Sequence, residues 1–354
     1  MPGVAITLAD LVALLHTGVA HEELSGANGV SWVSVDLDQG PSELPESVVE
    51  ALQRLVTVTV AYSHAENRAR RTEWGPAEAF DVVLGAESSR GAVLPAGGIG
   101  DGVTAVTGAV DEHPIASVSL ALLLRDTERR SITDGLIAES SVFSLLQAGP
   151  EFAAWRSGRP ARAASGGHLE PDTVVRTTRD GTDLRITLAR PHKHNAVSSR
   201  LRDQLAEALT LAVADDTIVS VVIDGDGRSF SSGGDLDEFG SFPDPASAHL
   251  IRLTRSPASL MARLQSRTTV RVHGACMGAG IELAAFAGRI VARPDAVIAL
   301  PEIGLGLVPG SGGTVSLPRR IGRHRTAYLG LTGERIDATR ALAWGLIDAV
   351  DAPS

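Results

Sequence analysis

The stretch that decides the fold of this chain is HGACMGAGIELAAF, from His273 to Phe286. Three glycines, Gly274, Gly278 and Gly280, leave the backbone open, and one carboxylate, Glu282, then appears among residues typical of a buried helix. Charged side chains are rarely buried unless they are paired. The stretch therefore predicts a strand that ends in exposed backbone amides, followed by a helix that carries one functional acid.

Short runs of β-branched residues surround this stretch, and a helical pattern lies between the first two of them. Strand, helix and strand in this order predict parallel pairing with a right-handed crossover, and hence an α/β fold. The helix SSRLRDQLAEALTLAV begins behind a serine cap and places on one face Leu201, Leu205, Ala208, Leu209 and Ala212. The predicted strands are LRITLAR, IVSVVIDG, TTVRVHG, AGRIVAR and AVIALPE.

Length and composition narrow the class of protein. A chain of 354 residues with 44% hydrophobic residues can form two domains, and a net charge of −10 argues against a nucleic-acid partner. The single cysteine, Cys276, excludes an internal disulfide and fits a reducing compartment, so we expect the cytoplasm. No run approaches the roughly 20 apolar residues of a membrane span, and the N-terminal stretch, with Asp10, does not resemble an export signal.

The segment RSGRPARAASGGHLEPD, residues 156–172, is rich in Gly, Pro, Arg and Ser and predicts a linker. It separates an N-terminal α/β region, 1–155, from a second region, 173–354. The first region is predicted to contain a helix from Leu8 to His16, a strand in VSWVSVDL, a helix and strand in PESVVEALQRLVTVTVAY, and helices in IASVSLALLLRD and ITDGLIAESSVFSLLQAGPEFAAW.

Three glycine-rich runs could bind phosphate, but none has the required spacing. GACMGAG departs from the offsets of the dinucleotide fingerprint, PGSGGT has no lysine after its glycines, and AGGIGDG follows no strand directly. We therefore predict no nucleotide-binding loop and interpret AGGIGDG as a loop.

Two junctions in the second region expose backbone amides in the same way. FSSGGDLDEF follows one predicted strand and GACMGAGIEL follows the next, so Ser232 and Ala279 stand where a helix's first N–H groups lack internal partners. Two such amides can hold one oxygen as an oxyanion hole. The alternative is that these glycines only allow close packing of helix on sheet.

Two carboxylates accompany these amides. Glu282 lies one turn past Ala279, and Glu302 follows a strand and Pro301. An acid and a base beside an oxyanion hole suit proton transfer at the carbons of an activated carbonyl compound. The alternatives are that Glu282 interacts with the dipole of its own helix and that Glu302 is a solvated loop residue.

The second region resembles the crotonase (enoyl-CoA hydratase/isomerase) superfamily over nearly its whole length. The segments that carry the resemblance are LARPHKHNAVSSRLRDQL, FSSGGDLDEF, HGACMGAGIELAAF, LPEIGLGLVPGSGGTVSLPRRIG and LTGERIDATRALAWGLIDAV. The resemblance implies a crotonase-like spiral of ββα repeats over 173–354. Glutamates at both positions matching Glu282 and Glu302 are the pattern of the family's hydratases, whereas relatives with other activities commonly lack one.

By this resemblance the protein adds water in the syn sense across the C2–C3 double bond of a 2-enoyl-CoA thioester. Glu282 activates the water and Glu302 transfers the proton at C2, while the amides of Ser232 and Ala279 hold the thioester oxygen. The resemblance implies no metal and no organic cofactor, because coenzyme A enters with the substrate, and it favours a homo-oligomer, with a trimer preferred. The further residues that it assigns to substrate binding are Ser231, Gly233, Gly234, Leu236, Gly278 and Gly310.

Three features depart from the family pattern. Gly288 stands near a usual Asp, Ala279 stands where Gly is common, and the sequence ends at Ser354, before the usual C-terminal helices. We interpret residues 1–155 as a degenerate crotonase-like unit without an active site of its own, whose last helices pack where the missing ones would.

Some alternatives stay open at this point. A double-bond isomerase, a thioester hydrolase or a non-catalytic acyl-CoA-binding or scaffold protein could share these residues, and the acyl pocket is expected along residues 237–264, where Phe239 and Phe242 suggest a lid. Near the loop RPHKHNA, which also contains His192 and His194, Arg190 or Lys193 could contact a phosphate, or the loop could be merely solvated. The spacing of the remaining histidines suggests a structural role for His249, His273 and His324.

Overall fold

The computed structural model describes residues 3–38, 43–64, 77–86, 91–159, 171–240 and 244–351. The chain forms two compact units, one of Met1–Arg129 with Ile321–Gly333 and one of Arg130–Arg320 with Glu334–Ser354. The division lies before the predicted linker, because two helices that we had placed in the first region pack within the second unit. Most of the predicted linker lies outside the described residues.

The first unit contains a four-stranded, fully parallel sheet in the order β1-β2-β3-β4. Its strands are β1 (Val4–Thr7), β2 (Trp32–Asp36), β3 (Val58–Tyr62) and β4 (Val82–Leu84). Its helices are α1 (Leu8–His16), α2 (Ala20–Glu23), α3 (Glu46–Gln53), α4 (Ile99–Glu112) and α5 (Pro114–Arg125). The predicted helix from Leu8 to His16 is confirmed, and its buried face meets the sheet residues Val33 and Val35 in one core.

The prediction that AGGIGDG is a loop is wrong for its second half. Helix α4 begins at Ile99, immediately after Gly98, whose φ of 92° is open only to glycine. Gly102 then lies in the first turn, where a Cβ atom would stand 2.2 Å from Cγ of Pro95. These glycines therefore start a helix that packs closely on the preceding segment.

The second unit contains a six-stranded sheet in the order β13-β10-β8-β7-β6-β5 and a three-stranded sheet in the order β12-β11-β9. Pairing is parallel except for the β5–β6 and β11–β12 pairs. The strands are β5 (Val175–Asp180), β6 (Asp183–Leu188), β7 (Ser220–Gly225), β8 (Thr268–Val272), β9 (Ala275–Met277), β10 (Arg289–Ala292), β11 (Val297–Ala299), β12 (Ile336–Asp337) and β13 (Ala349–Val350). All five predicted strands are present, and the α/β class is confirmed.

The helices that begin in this unit are α6 (Ile132–Gln147), α7 (Pro150–Gly158), α8 (Ser199–Ala214), α9 (Pro245–Thr254), α10 (Pro257–Arg263), α11 (Ala279–Ala284), α12 (Gly313–Ser316), α13 (Pro318–Thr332) and α14 (Ala338–Trp344). The predicted serine cap of α8 is Ser198, whose side chain accepts a hydrogen bond from the amide of Leu201. The five apolar residues predicted for one face of α8 are all buried. Among the described helices, none is long and apolar enough to cross a membrane.

The strand β9 was not predicted, because it lies inside the glycine-rich stretch. Gly274 turns the chain between β8 and β9 with a φ of 51°, and a Cβ atom there would lie 2.0 Å from the carbonyl oxygen of Arg228. The chain can therefore leave one sheet and enter the other within two residues. This turn places the start of α11 beside the loop that follows β7.

Candidate active site

The two glycine-rich loops lie side by side. Ser231 donates its amide to the carbonyl oxygen of Ala275 at 3.1 Å, and Met277 donates its amide to the carbonyl oxygen of Ser231 at 3.0 Å. Just beyond this bridge, Gly233 and Gly278 have φ values of 96° and 46°, so both loops turn away from strand geometry at the same level. The predicted juxtaposition of the two junctions is present.

The prediction that the Ser232 amide is one of the two free donors is wrong. This N–H donates to the carbonyl oxygen of His194 at 2.9 Å, because residues 231–235 pair with the segment that contains His194 and Val197. Two residues further on, the amide of Gly234 has no acceptor among the described residues, and neither has the amide of Ala279, the first residue of α11. The free pair is therefore Gly234 and Ala279.

A cavity of about 580 Å³ opens beside these amides. Its wall includes the predicted site residues Gly234, Ala279, Glu282, Glu302 and Gly310. Its volume lies within the range of about 300–1,000 Å³ that is usual for small-molecule binding sites.

The other predicted site residues have different positions. Ser231 is buried and donates its hydroxyl to the carbonyl oxygen of Asn195 at 2.9 Å. Gly278 is the cap of α11, and Gly233 contacts the loop of Gly278 and Met277. Five of the predicted site residues do not belong to the described cavity wall, so they contribute to the shape of the loops. They are Ser231, Ser232, Gly233, Leu236 and Gly278.

Glu282 is buried, with 1% of its surface exposed, and it is anchored by backbone amides. Its Oε2 atom accepts hydrogen bonds from Ser311 N at 2.7 Å and Gly313 N at 2.9 Å. Burial and the charges of Glu302 and Glu139 raise the pKa of Glu282, while the two amides oppose this change. Hydrogen bonds from N–H groups stabilise the ionised form of a carboxyl group, so the two amides partly offset the effect of burial and of the neighbouring carboxylates.

Glu302 is buried on the wall of the same cavity, and the hydrogen bond from its own backbone N–H opposes the effect of burial on its pKa. Its Oε2 atom has no hydrogen-bond partner among the described residues. Burial raises the pKa of Glu302 to about 8, and the charge of Glu139 acts in the same direction. A raised pKa favours the protonated form, so this carboxyl group is a candidate proton donor.

A third buried carboxylate, Glu139 of α6, was missed by the sequence analysis. It lies on the cavity wall with 2% of its surface exposed, and it accepts hydrogen bonds from Gly312 N at 2.6 Å and from Thr314 N at 2.8 Å. Burial raises its pKa to about 7, against the hydrogen bonds of Thr314 and Gly312 and the charge of Arg252. An acid among apolar residues in the middle of the helix ITDGLIAESSVF, beyond Asp134 of its first turn, resembles the signal that singled out Glu282 and could have identified this residue.

The acyl-pocket prediction agrees with the cavity wall in α9 and α10, which contribute Ala248, Arg252 and Ala258. Helices α6 and α7 contribute the opposite part of the wall, including Phe143 and Phe152. Phe239 also lies on the wall, and its ring packs edge-on against Phe143 at a centroid distance of 6.3 Å. Phe242, the second residue of the predicted lid, lies outside the described residues.

The surroundings of Arg190 argue against the phosphate contact that was one of two possibilities for its loop. Arg190 is buried and forms an ion pair of 2.8 Å with Asp235. Lys193 is partly exposed and pairs with Asp237 at 2.9 Å. A role of Lys193 toward the nucleotide end of coenzyme A stays a prediction.

Comparisons with known proteins all lead to one family. A family model described as Enoyl-CoA hydratase/isomerase matches residues 180–354. The Bacillus subtilis protein YhaR, described as an enoyl-CoA hydratase/isomerase, is 34% identical over 170 residues, which are 48% of this chain and 66% of YhaR. The protein YngF of the same organism, with the same description, is 32% identical over 183 residues, which are 51% of this chain and 70% of YngF.

The crystal structure of enoyl-CoA hydratase from Thermoplasma volcanium is 38% identical, with a TM-score of 0.46, and the match covers 50% of this chain and 71% of that one. The chain thus spans about two thirds of the length of the relatives that it matches. The residues matched by the family model include Glu282 and Glu302, whereas Glu139 lies outside them.

Proposed function

The chain belongs to the enoyl-CoA hydratase/isomerase family, and on this premise we propose that it adds water to the C2–C3 double bond of a 2-enoyl-CoA thioester. One observation carries the proposal. Two buried carboxylates, Glu282 and Glu302, share a cavity wall with the amides of Gly234 and Ala279. Acid, base and oxyanion donors are thus available to one substrate.

The thioester oxygen is proposed to lie between the amides of Gly234 and Ala279. When water attacks C3, negative charge moves through C2 to this oxygen, and two N–H donors directed at the oxygen stabilise the resulting enolate. Ala279 also starts α11, although this helix is too short for its dipole to matter much. The amides themselves therefore carry the stabilisation.

Glu282 is proposed as the base that orients and deprotonates the attacking water. Its Oε2 atom is occupied by Ser311 N and Gly313 N, which leaves Oε1 for the water. The oxygen of the water forms the new bond to C3, and its proton passes to Glu282. The two hydrogen bonds from backbone amides fix the carboxylate, so the base does not have to reorient while it takes the proton.

Glu302 is proposed as the acid that protonates C2. Burial raises its pKa to about 8, which favours the protonated form, and the residue lies on the cavity wall. Transfer of this proton to C2 neutralises the enolate and completes the addition. The two carboxyl groups therefore need different protonation states, a difference that their different partners support.

The proposal requires neither a metal nor an organic cofactor, because the thioester activates the double bond and coenzyme A enters with the substrate. A homo-oligomer, with a trimer preferred, and a cytoplasmic location belong to the same proposal. The interpretation of residues 1–155 as a degenerate crotonase-like unit also stays a prediction.

The experiment is hydration of crotonyl-CoA and of a longer 2-enoyl-CoA, followed by loss of the conjugated thioester absorbance. Glu282→Gln and Glu302→Gln should each lower kcat by about 10²–10⁴-fold, the usual range for a general acid or base. Glu207→Gln, on the exposed side of α8, removes one acid without touching the cavity and should retain full activity. Absence of turnover by the wild type with both thioesters would sink the proposal.

Double-bond isomerisation is a second candidate, favoured by one observation. A single carboxyl group with a free oxygen, such as Glu302, can move a proton between C2 and C4 without help from Glu282. A 3-enoyl-CoA substrate separates the two functions. An isomerase would turn over this substrate, keep that activity in Glu282→Gln and lose it in Glu302→Gln, whereas a hydratase without isomerase activity would not turn it over.

A further inference from the structure

Helix α6 presents one face to the segment 310–315. Gly135, Glu139 and Phe143 are spaced by four residues, so they lie on the same side of the helix. A Cβ atom at Gly135 would stand 2.8 Å from Cγ2 of Val315, and a Cβ atom at Gly310 would stand 2.4 Å from Cδ2 of Phe143. The helix therefore lies in close contact with this segment on both sides of Glu139.

Glu139 and Glu282 bind alternate amides of the same four-residue run. Oε2 of Glu282 accepts from residues 311 and 313, whereas the two oxygens of Glu139 accept from residues 312 and 314. Oε2 of Glu139 also accepts the hydroxyl of Thr314 at 2.7 Å. The run is thus held from two directions by two carboxylates that belong to different helices.

Arg252 of α9 is a cation whose charge lowers the pKa of Glu139, and burial lowers the pKa of that guanidinium to about 10. Arg252 donates to the Oγ atom of Ser140 at 3.1 Å, and the same oxygen contacts Nδ1 of His249 at 2.9 Å. Glu282 and Glu302 face Glu139 as like charges, and Glu139 raises the pKa of both.

We propose that Glu139, which lies outside the family-matched region, is a positioning residue that fixes the run 311–314 and through it the carboxylate of Glu282. The inference rests on the proposed function, since it gives Glu282 a partner in the same reaction. If Glu139 releases the amides of Gly312 and Thr314, the run can shift, and the amides that hold Glu282 shift with it. Displacement of a catalytic group by about 1 Å can lower a rate by about 100-fold.

The test combines hydrogen exchange with kinetics in Glu139→Gln. A glutamine side chain has only one acceptor oxygen, so at least one of the amides at 312 and 314 loses its partner. We expect faster exchange of these amides in the free protein and a kcat lower by about 10–100-fold with little change in KM. Loss of the negative charge at 139 also lowers the pKa of Glu282, so the acid limb of the rate profile moves to lower pH.

Glu139→Asp separates position from charge. It keeps the charge but is one methylene shorter, so we expect faster exchange and a lower kcat while the acid limb stays near that of the wild type. This variant also decides the question if Glu139→Gln does not fold. The exposed variant Glu207→Gln should leave exchange, kcat and the acid limb unchanged.

The inference is overturned if the amides of residues 312 and 314 exchange at the wild-type rate in both variants of Glu139. It is also overturned if these variants have a lower Tm but an unchanged kcat and an unchanged acid limb. Exchange is measured without substrate, so it is independent of the reaction. The two proposals can also fail separately. If the wild type turns over no 2-enoyl-CoA but exchange of the amides at 312 and 314 still depends on Glu139, the hydratase proposal is overturned, whereas the role of Glu139 in fixing the run 311–314 is retained.

Discussion

The Oε1 atom of Glu302 occupies the space that a side chain at Gly278 would need, because a Cβ atom at residue 278 would lie 2.2 Å from it. Gly278 also has a φ of 46° with a ψ of −122°, a combination that L-residues avoid. Gly278→Ala should therefore displace Glu302 and lower kcat by about 100-fold. Backbone strain should lower the free energy of unfolding by about 1–3 kcal/mol.

Gly304 provides the matched control. It lies in the same turn as Glu302, but a Cβ atom there would meet no atom within 4 Å. Gly304→Ala should retain wild-type turnover and stability. Equal kcat values for the two alanine variants in a crotonyl-CoA assay would contradict the claim that Gly278 makes room for Glu302.

The pH dependence of hydration follows from the protonation state of Glu302. Burial raises its pKa to about 8, and the acid must be protonated to deliver a proton to C2. Activity should therefore be present below this value and fall as the pH rises through about 8. Since the carboxylates of the cavity influence one another, the fall of activity at high pH reports an apparent pKa that belongs to the interacting carboxyl groups together. A kcat that stays constant up to pH 10 would show that no such acid is needed.

The amide of Ala279 can be removed by substitution, because residue 279 is the first residue of α11. Proline is tolerated at the first helical position, where its missing N–H has no intrahelical acceptor. The chain itself uses proline at the start of α5, α7, α9 and α10. Ala279→Pro should lower kcat by about 10²–10³-fold, the effect of losing one oxyanion donor.

Ala279→Ser is the companion variant, since it retains the amide at the same position. It should keep kcat within a few-fold of the wild type, and both variants should have a Tm close to that of the wild type. Comparable losses of kcat in the serine and proline variants would attribute the effect to the side chain and argue against the amide.

The carboxylates of the site were the part that the sequence could predict. A lone acid in an apolar run, such as Glu282 in GAGIELAAF, is costly to bury without a partner, so its presence signals a task. Similar reasoning applies to Glu139 in DGLIAESSVF, where Asp134 lies at the start of the helix and only Glu139 lies among apolar residues in its middle. Glu139 was overlooked because it lies in mid-helix, and it meets the loop 312–314 only in the folded structure.

Backbone donors were harder to predict. Sequence spacing indicated that the loop FSSGGDL exposes amides, but which N–H is free depends on pairing with a distant segment. Residues 194–197 take up the amides of Ser232 and Asp235 and leave that of Gly234. The assignment of α6 and α7 to the second unit was missed for a similar reason, because the composition of residues 156–172 marks a possible linker but not the surface on which a preceding helix packs.

In the first unit, stability should depend on the ion pair of Asp81 and Arg125, which are joined at 2.8 and 2.7 Å. Although burial acts to raise it, the charge and hydrogen bonds of Arg125 hold the pKa of Asp81 below its usual range. Asp81→Asn leaves a buried guanidinium without its counter-ion and should lower the free energy of unfolding by about 3–5 kcal/mol. Urea titration measures this difference.

The same pair has a pH signature with a definite sign. Because the pKa of Asp81 is lower in the folded state, its contribution is complete above the unfolded value of about 4 and is lost as the pH falls through the folded value. When the pH is lowered from 5 to 2, the free energy of unfolding should therefore fall less in Asp81→Asn than in the wild type. Glu50→Gln, which breaks the exposed pair with Arg54, should leave stability nearly unchanged, because exposed pairs are weak. Similar losses in the two variants would contradict a dominant role for the buried pair.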